Sequence, residues 1–143
     1  CFMNPPEFTH NKKRQQIATL ASAKNFLKGT EVNISGNKVD NYRNVRVIPS
    51  GMYKRVQNGS RQGYRYASEA ADWVAMGRIL EIRLGFTVND TGIILNKCRD
   101  LDSIGYNHEP LLSLIPDNDS KEGFIQALLG EGIDFGDDGK HLL

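Results

Sequence analysis

Cysteines are scarce in this sequence, and long apolar runs are absent. Its 143 residues include two cysteines, Cys1 and Cys98, which are too few for a disulfide framework or a cysteine-based zinc site. No apolar run approaches the ~20 residues that a membrane span requires, and no signal peptide is recognisable. Cys1 and Phe2 resemble the remnant of a split-intein junction, with Met3 as the initiator, so we leave them out of the functional interpretation. These absences predict a cytoplasmic protein without membrane association.

No catalytic motif is found, and no pattern indicates a cofactor or a bound metal. His10, His108 and His141 are scattered along the chain. If the protein is an enzyme, the sequence is most compatible with a small nuclease of the toxin or phage-effector type. His10 or His108 would then act as a general base beside basic residues. A metal-dependent nuclease would instead need hard oxygen ligands, for which the candidates are Asp100, Asp102, Glu109, Asp117 and Asp119.

Acidic residues are missing from one long segment, residues 41–66, and the charge of the chain is divided accordingly. Residues 1–66 contain twelve Lys and Arg against three acids, a net charge of +9. Residues 67–143 contain six Lys and Arg against fourteen acids, a net charge of −8. Such asymmetry indicates a nucleic-acid-binding half joined to an acidic half, or two surfaces that attract each other within the fold. The acidic C-terminal third is also a candidate surface for a protein partner.

The acid-free segment also contains four of the five tyrosines of the chain, interleaved with six basic residues. Cationic side chains neutralise backbone phosphates, and aromatic rings stack on bases. We therefore predict nucleic-acid binding, to DNA rather than RNA, because a β-ribbon fits the major groove of DNA. A nuclease and a protein-interaction module are the alternatives. The candidate binding residues are Arg43, Arg46, Tyr53, Lys54, Arg55, Arg61, Tyr64 and Arg65.

The pattern of apolar residues predicts an α+β fold. One main helix is expected over residues 68–84, with Trp73 in its buried stripe and Gly85 at its end. A small antiparallel three-stranded sheet is expected to pack against this helix, with strands over residues 43–48, 52–57 and 60–66 and a tight turn at Asn58-Gly59. Apolar and polar residues also alternate over residues 31–35. An earlier helix is predicted over residues 11–28.

After residue 86 the pattern is less specific. Residues 86–88 suggest a short strand, and residues 89–98 suggest a turn or a helix. Two short helices are predicted over residues 109–115 and 120–129. The predicted organisation is an extended N-terminal segment (1–10), a single α+β nucleic-acid-binding domain (11–130) and an acidic flexible tail (131–143).

Several short segments resemble the plan of AP2-type DNA-binding domains over residues 42–89. That family has a three-stranded sheet opening with a YRGVR-like segment, a helix containing EAA behind it, and a Gly…Asn ending. Asn44 stands where the family has a glycine, and the middle strand lacks the family's tryptophan. The resemblance implies that Arg43, Arg46, Lys54 and Arg55 face DNA. It is carried by YRNVR (42–46), SGMY (50–53), YASEAA (66–71), Gly85 and Asn89.

Overall fold

The computed structural model describes residues 7–58, 61–116 and 120–143, apart from the side chains of Asn58, Arg61 and Gln62. This part of the chain forms six α-helices and one antiparallel sheet of two strands. Short 3₁₀ turns precede the first strand (Ser50–Met52) and end the chain (Lys140–Leu142). The elements are α1 (Arg14–Ser22), α2 (Gly36–Asn44), β1 (Tyr53–Asn58), β2 (Arg61–Tyr66), α3 (Ala70–Leu84), α4 (Val88–Cys98), α5 (Glu109–Leu114) and α6 (Lys121–Gly130).

Helix α3 is the centre of the hydrophobic core, as the sequence predicts. Ten of its fifteen residues are buried, including Trp73, and a helix that is apolar on most sides belongs in a protein interior. It ends at Gly85, whose φ of 78° places it in the left-handed region that glycine tolerates best. A Cβ at Gly77 would lie 2.9 Å from Val47 Cγ1 and 3.3 Å from the Tyr42 ring. Gly77 therefore lets α2 and the turn after it approach α3 closely.

The predicted three-stranded sheet is wrong, because residues 43–48 do not form a strand. Arg43 and Asn44 end helix α2, and the chain then turns at Arg46, which has a φ of 68°. The helix forms because the Ser35 side chain caps it by accepting a hydrogen bond from the Lys38 N–H. Val39 and Tyr42, one turn apart, are buried, which is the spacing of a helical face. The first strand implied by the AP2 resemblance is therefore replaced by the end of helix α2 and the turn that follows it.

The hairpin between β1 and β2 forms as predicted, but its main helical neighbour is α1 and not, as predicted, the central helix α3. Its register pairs Tyr53 with Tyr66 and Asn58 with Arg61; the predicted turn residue Gly59 lies outside the described residues. Next to it, Lys12 forms an isolated antiparallel bridge with Tyr66, with backbone N···O distances of 2.9 and 2.8 Å. The first helix, predicted over residues 11–28, is wrong at both ends. Residues 11–13 run along the edge of β2 before α1 begins, and α1 ends at Ser22.

The C-terminal half is helical. Helix α4 begins where the Thr87 side chain accepts a hydrogen bond from the Asp90 N–H, so residues 89–98 follow the helical alternative. The short strand suggested for residues 86–88 is wrong, because Val88 already belongs to this helix. The last thirteen residues lie against the body of the protein, with Ile133 and Phe135 buried, and this packing argues against the flexible tail. No helix within the described residues has the length and apolar character needed to cross a bilayer.

Candidate functional site

The β-hairpin presents two chemically different faces. Residues directly opposite each other in an antiparallel pair project to the same face. Tyr53 opposite Tyr66 and Arg55 opposite Tyr64 share one face. Lys54 lies directly opposite Arg65 on the other face, and like charges in this position repel each other. This like-charge pair therefore does not contribute to the stability of the hairpin.

The tyrosines of the hairpin pack together at its base. The Tyr53 ring centroid is 5.9 Å from that of Tyr64 and 6.2 Å from that of Tyr66. Tyr66 is fully buried, whereas Tyr53 and Tyr64 are half-buried. Tyr53 and Tyr64 each reach into a different surface cleft, so the hairpin separates two candidate sites.

The first site, which we call the paired cleft, lies along β2 and the start of α1 and has a volume of about 480 Å³. Four cations and one carboxylate line it, and most of these charges contact one another. Arg14 and Arg43 donate to Asp40 at 2.5 and 2.7 Å. The lining residues are Lys13, Arg14, Asp40, Arg43, Gly63, Tyr64, Arg65 and Tyr66.

Arg43 is the most fully engaged side chain of the paired cleft. Besides Asp40, it donates to the Tyr66 hydroxyl at 2.7 Å, and its guanidinium lies 3.7 Å from the centroid of the Tyr64 ring. Only 12% of its side chain is exposed. Its position is consistent with a structural role, because few of its donors remain for an external ligand.

The pKa values follow from these contacts. Partial burial opposes ionisation of Asp40, but the hydrogen bonds from Arg14 and Arg43 outweigh it and hold the Asp40 pKa below its usual value. Burial raises the pKa of Tyr66 to about 12 despite its hydrogen bond from Arg43. Arg14, the first residue of α1, thus has its carboxylate partner within the fold.

The second site, which we call the open cleft, lies between the turn after α2, the base of β1 and helix α4. Its volume is about 430 Å³. Ile48 and Pro49 are buried residues of its wall. Its lining residues are Arg46, Ile48, Pro49, Ser50, Tyr53, Asn96, Arg99, Asp100 and Tyr106.

Arg99 fixes one wall of the open cleft. Its guanidinium donates to the Val47 carbonyl at 2.9 Å and to the Arg46 carbonyl, and it stacks over the Trp73 ring at 4.8 Å from the centroid. Burial lowers the pKa of Arg99 to about 10, which leaves it charged at neutral pH. A planar, charged group held on three sides is a rigid element.

Gly92 explains how α4 comes so close to the turn. A Cβ on Gly92 would lie 2.0 Å from the Val45 carbonyl oxygen, so only glycine permits this approach. The turn itself contains Arg46 in the left-handed region, which costs roughly 1–2 kcal/mol for a residue with a side chain. Strained backbone of this kind is found preferentially at functional sites.

The predicted binding residues are distributed over both clefts and the hairpin. Arg46 and Tyr53 line the open cleft, whereas Arg43, Tyr64 and Arg65 line the paired cleft. Lys54 and Arg55 are exposed on opposite faces of β1. The side chain of Arg61 lies outside the described part of the structure.

The sequence analysis missed the residues that complete the open cleft, namely Asn96, Arg99 and Tyr106. They belong to the acidic half of the chain and to α4 and the loop that follows it. The one available signal was the helical alternative for residues 89–98. It would have placed Asn96 on a helix, but not beside Arg46.

The histidines do not form a catalytic group. His10 Nε2 is 2.7 Å from the Gly51 carbonyl, His108 stacks on Phe26, and His141 Nε2 is 2.6 Å from Asp90. None of the three lines the open or the paired cleft. No group of three or more potential metal ligands occurs among the residues that the structure describes. Asp117 and Asp119 lie outside those residues.

Part of the charge asymmetry is neutralised within the fold. Lys24 pairs with Asp72 and Lys38 pairs with Glu81, each at 2.9 Å, and both pairs join the basic half to the acidic half. The Glu81 carboxylate also accepts from the Tyr42 hydroxyl. Burial and this carboxylate raise the pKa of Tyr42 far above its ordinary value. Lys54, Arg55 and Arg65 of the hairpin make no such pair with a carboxylate of the described residues.

Comparison with known proteins adds no assignment, because no family model, curated protein or solved structure matches the chain. The resemblance to AP2-type domains is therefore neither supported nor opposed by a relative.

Proposed function

We propose that this protein binds nucleic acid, DNA in preference to RNA, through the β-hairpin and the clefts at its base. One observation carries the proposal. Arg46, Lys54, Arg55 and Arg65 make no ion pair with any carboxylate of the described residues.

Unpaired cations on a projecting ribbon are suited to phosphate contacts. Each Lys or Arg that neutralises a phosphate releases condensed counterions, which provides most of the affinity of sequence-independent binding. Lys54 and Arg65 repel each other in the free protein, and an anion placed between them would relieve that repulsion. The ribbon geometry supports DNA, since B-DNA admits a two-stranded ribbon in its major groove whereas that of A-form RNA is deep and narrow.

The location of the protein belongs to the same proposal. Cys98 is a free, buried thiol, and burial raises its pKa to about 12, so it is protected from oxidation chemistry. We propose a cytoplasmic location because the proposed ligand is accessible there. A protein partner for the acidic C-terminal third and a nuclease activity remain predictions from the sequence.

The proposal is tested by salt-dependent binding to duplex DNA, single-stranded DNA and RNA of one length. Changing Lys54 and Arg65 together to Ala should reduce the magnitude of the log–log salt slope by about one to two units, because each phosphate contact contributes about −0.9 on duplex DNA. The thermal stability should stay equal or rise slightly, since a like-charge pair is removed.

The matched control changes Lys28 and Lys140 to Ala, two exposed lysines that line neither cleft, and should keep the salt slope of the wild type. Wild-type protein that binds none of the three polymers at low salt would overturn the proposal. An equal loss of slope in the control would show that net charge, not the hairpin, drives binding. Cleavage of the DNA or RNA in the same reactions when Mg²⁺ is present would favour the alternative that the protein is a nuclease.

A further inference from the structure

The open cleft contains polar groups that have no hydrogen-bond partner among the described residues. The hydroxyls of Ser50, Tyr53 and Tyr106 and the amide of Asn96 make no hydrogen bond with any residue in the described ranges. The paired cleft differs, because most of its charged groups are bonded to one another. Convergent polar groups beside an apolar wall are the usual composition of a small-molecule site.

These groups match the parts of one nucleotide. An asparagine amide both donates and accepts, as a base edge does. Tyrosine rings stack on bases of any identity, and Tyr106 is 37% exposed in the wall of the cleft. Arg46 adds an exposed guanidinium at the rim, where a phosphate attached to the base would lie.

The cleft is also pre-formed. Arg99 is held by Trp73 and by two backbone carbonyls, and Gly92 fixes the distance between α4 and the turn. A rigid site loses little entropy when a ligand binds. Its volume of about 430 Å³ lies within the ordinary range for a site that takes one small molecule.

From this arrangement we infer that the open cleft binds a single unpaired nucleotide of the nucleic acid that the hairpin holds. The inference rests on the proposed function and specifies its substrate, a strand end or junction with an unpaired base. In a continuous duplex the Watson–Crick edges are paired and the base rings are stacked, so the tyrosines cannot stack on them and the amide cannot reach the Watson–Crick edges.

The test compares a blunt duplex with the same duplex carrying a short single-stranded overhang that contains a fluorescent adenine analogue. The overhang should raise affinity by roughly fivefold or more, the range expected for stacking of one base on an aromatic side chain. Binding should also change the fluorescence of the analogue. Tyr106→Ala and Asn96→Ala should each lose most of this gain, so that each variant binds the overhanging duplex about as tightly as it binds the blunt one.

Asn89→Ala is the matched control for Asn96, because Asn89 is exposed on the same helix and lines neither cleft. The melting temperature of each variant is first compared with that of wild type. If Tyr106→Ala destabilises the fold, Tyr106→Phe, which keeps the ring and removes the hydroxyl, is tested in its place. An RNA overhang on the same duplex shows whether the cleft distinguishes the sugar.

The outcomes separate this inference from the proposed function. Equal affinity for blunt and overhanging duplexes, or full retention of the gain in both alanine variants, would overturn the unpaired-nucleotide site and leave hairpin binding intact. If neither duplex binds, the proposed function fails, and the inference fails with it.

Discussion

The two clefts that flank the hairpin have similar volumes and both contain arginines, yet they differ in how those arginines are used. In the paired cleft, Arg14 and Arg43 converge on Asp40. In the open cleft, Arg99 donates hydrogen bonds to two backbone carbonyls, and Arg46 has no ion-pair partner among the residues described. A count of basic residues therefore overestimates a binding surface, because a paired guanidinium stabilises the fold and an unpaired one is available to a ligand.

The largest loss of stability is expected from a substitution where the open cleft joins the hydrophobic core. Trp73, which is 1% exposed, lies beneath Arg99. Trp73→Ala should lower the free energy of unfolding by roughly 3–5 kcal/mol, and Trp73→Phe should lower it by less, because a ring remains under the guanidinium. Chemical denaturation measures both. Melting of the alanine variant within about a degree of wild type would show that α3 is not the centre of the core.

The second test sets one arginine from each cleft against the other. Arg43→Ala should cost about 2–3 kcal/mol, because it removes charged hydrogen bonds to Asp40 and Tyr66 and the stacking on Tyr64. Arg46→Ala should change stability by no more than about 0.5 kcal/mol. In a binding assay the order should reverse, with Arg46→Ala weakening nucleic-acid binding more than Arg43→Ala does. The same order in both assays would contradict the division into a structural and a binding arginine.

A third test uses the carboxylate that distinguishes the paired cleft. Because the folded-state pKa of Asp40 is below its unfolded value, its contribution to stability is complete above about pH 4 and is lost as the pH falls through the folded-state pKa. Asp40→Asn should therefore be less stable than wild type by on the order of 1 kcal/mol at neutral pH, a value discounted for solvent screening.

The difference between wild type and Asp40→Asn should shrink as the solution becomes more acidic than about pH 4. Asp102→Asn is the control, since Asp102 is exposed and makes no ion pair within the described residues, and its difference from wild type should stay near zero. A difference for Asp40→Asn that does not depend on pH would mean that shape, not charge, matters at this position.

The sequence was sufficient to predict those elements in which the pattern of apolar residues and the residues at the termini indicate the same secondary structure. Helix α3 combines an apolar stripe with Gly85 at its end, and the hairpin combines two strands rich in tyrosine and arginine with the Asn58-Gly59 turn signal between them. The segment around Arg43 misled because Val45 and Val47 alternate with polar residues, which favours a strand. The helical spacing of Val39 and Tyr42 and the cap at Ser35 decided otherwise.

The open cleft lay beyond what the sequence could predict, for a different reason. Its residues come from two halves of the chain, and their meeting depends on Gly92, which lets α4 touch the backbone at Val45. Neither the contact nor the left-handed turn at Arg46 has a local signature, because arginine is not a residue that favours positive φ. Long-range packing creates this site, so only the folded structure brings Asn96 and Arg46 together.

The substitution with the smallest expected effect on stability is also the one that best separates stability from binding in the open cleft. Arg46 occupies a left-handed backbone position that glycine adopts without strain. Arg46→Gly should raise the free energy of unfolding by about 0.5–1 kcal/mol, the relief of strain minus the larger entropy that glycine has when unfolded. The carbonyl that Arg99 holds belongs to the backbone, so the turn keeps its support.

The same variant should bind nucleic acid more weakly, with a log–log salt slope reduced by about one unit, because one phosphate contact is removed. Comparison with Arg46→Ala, which loses the same cation but keeps the strained backbone, separates the two effects: both variants should bind alike, and only the glycine variant should melt higher. A glycine variant that melts below wild type would show that the Arg46 side chain stabilises the fold. A glycine variant that melts higher and binds as wild type would show that the Arg46 side chain is not part of the interface. The strained backbone at this position would then have no explanation in nucleic-acid binding.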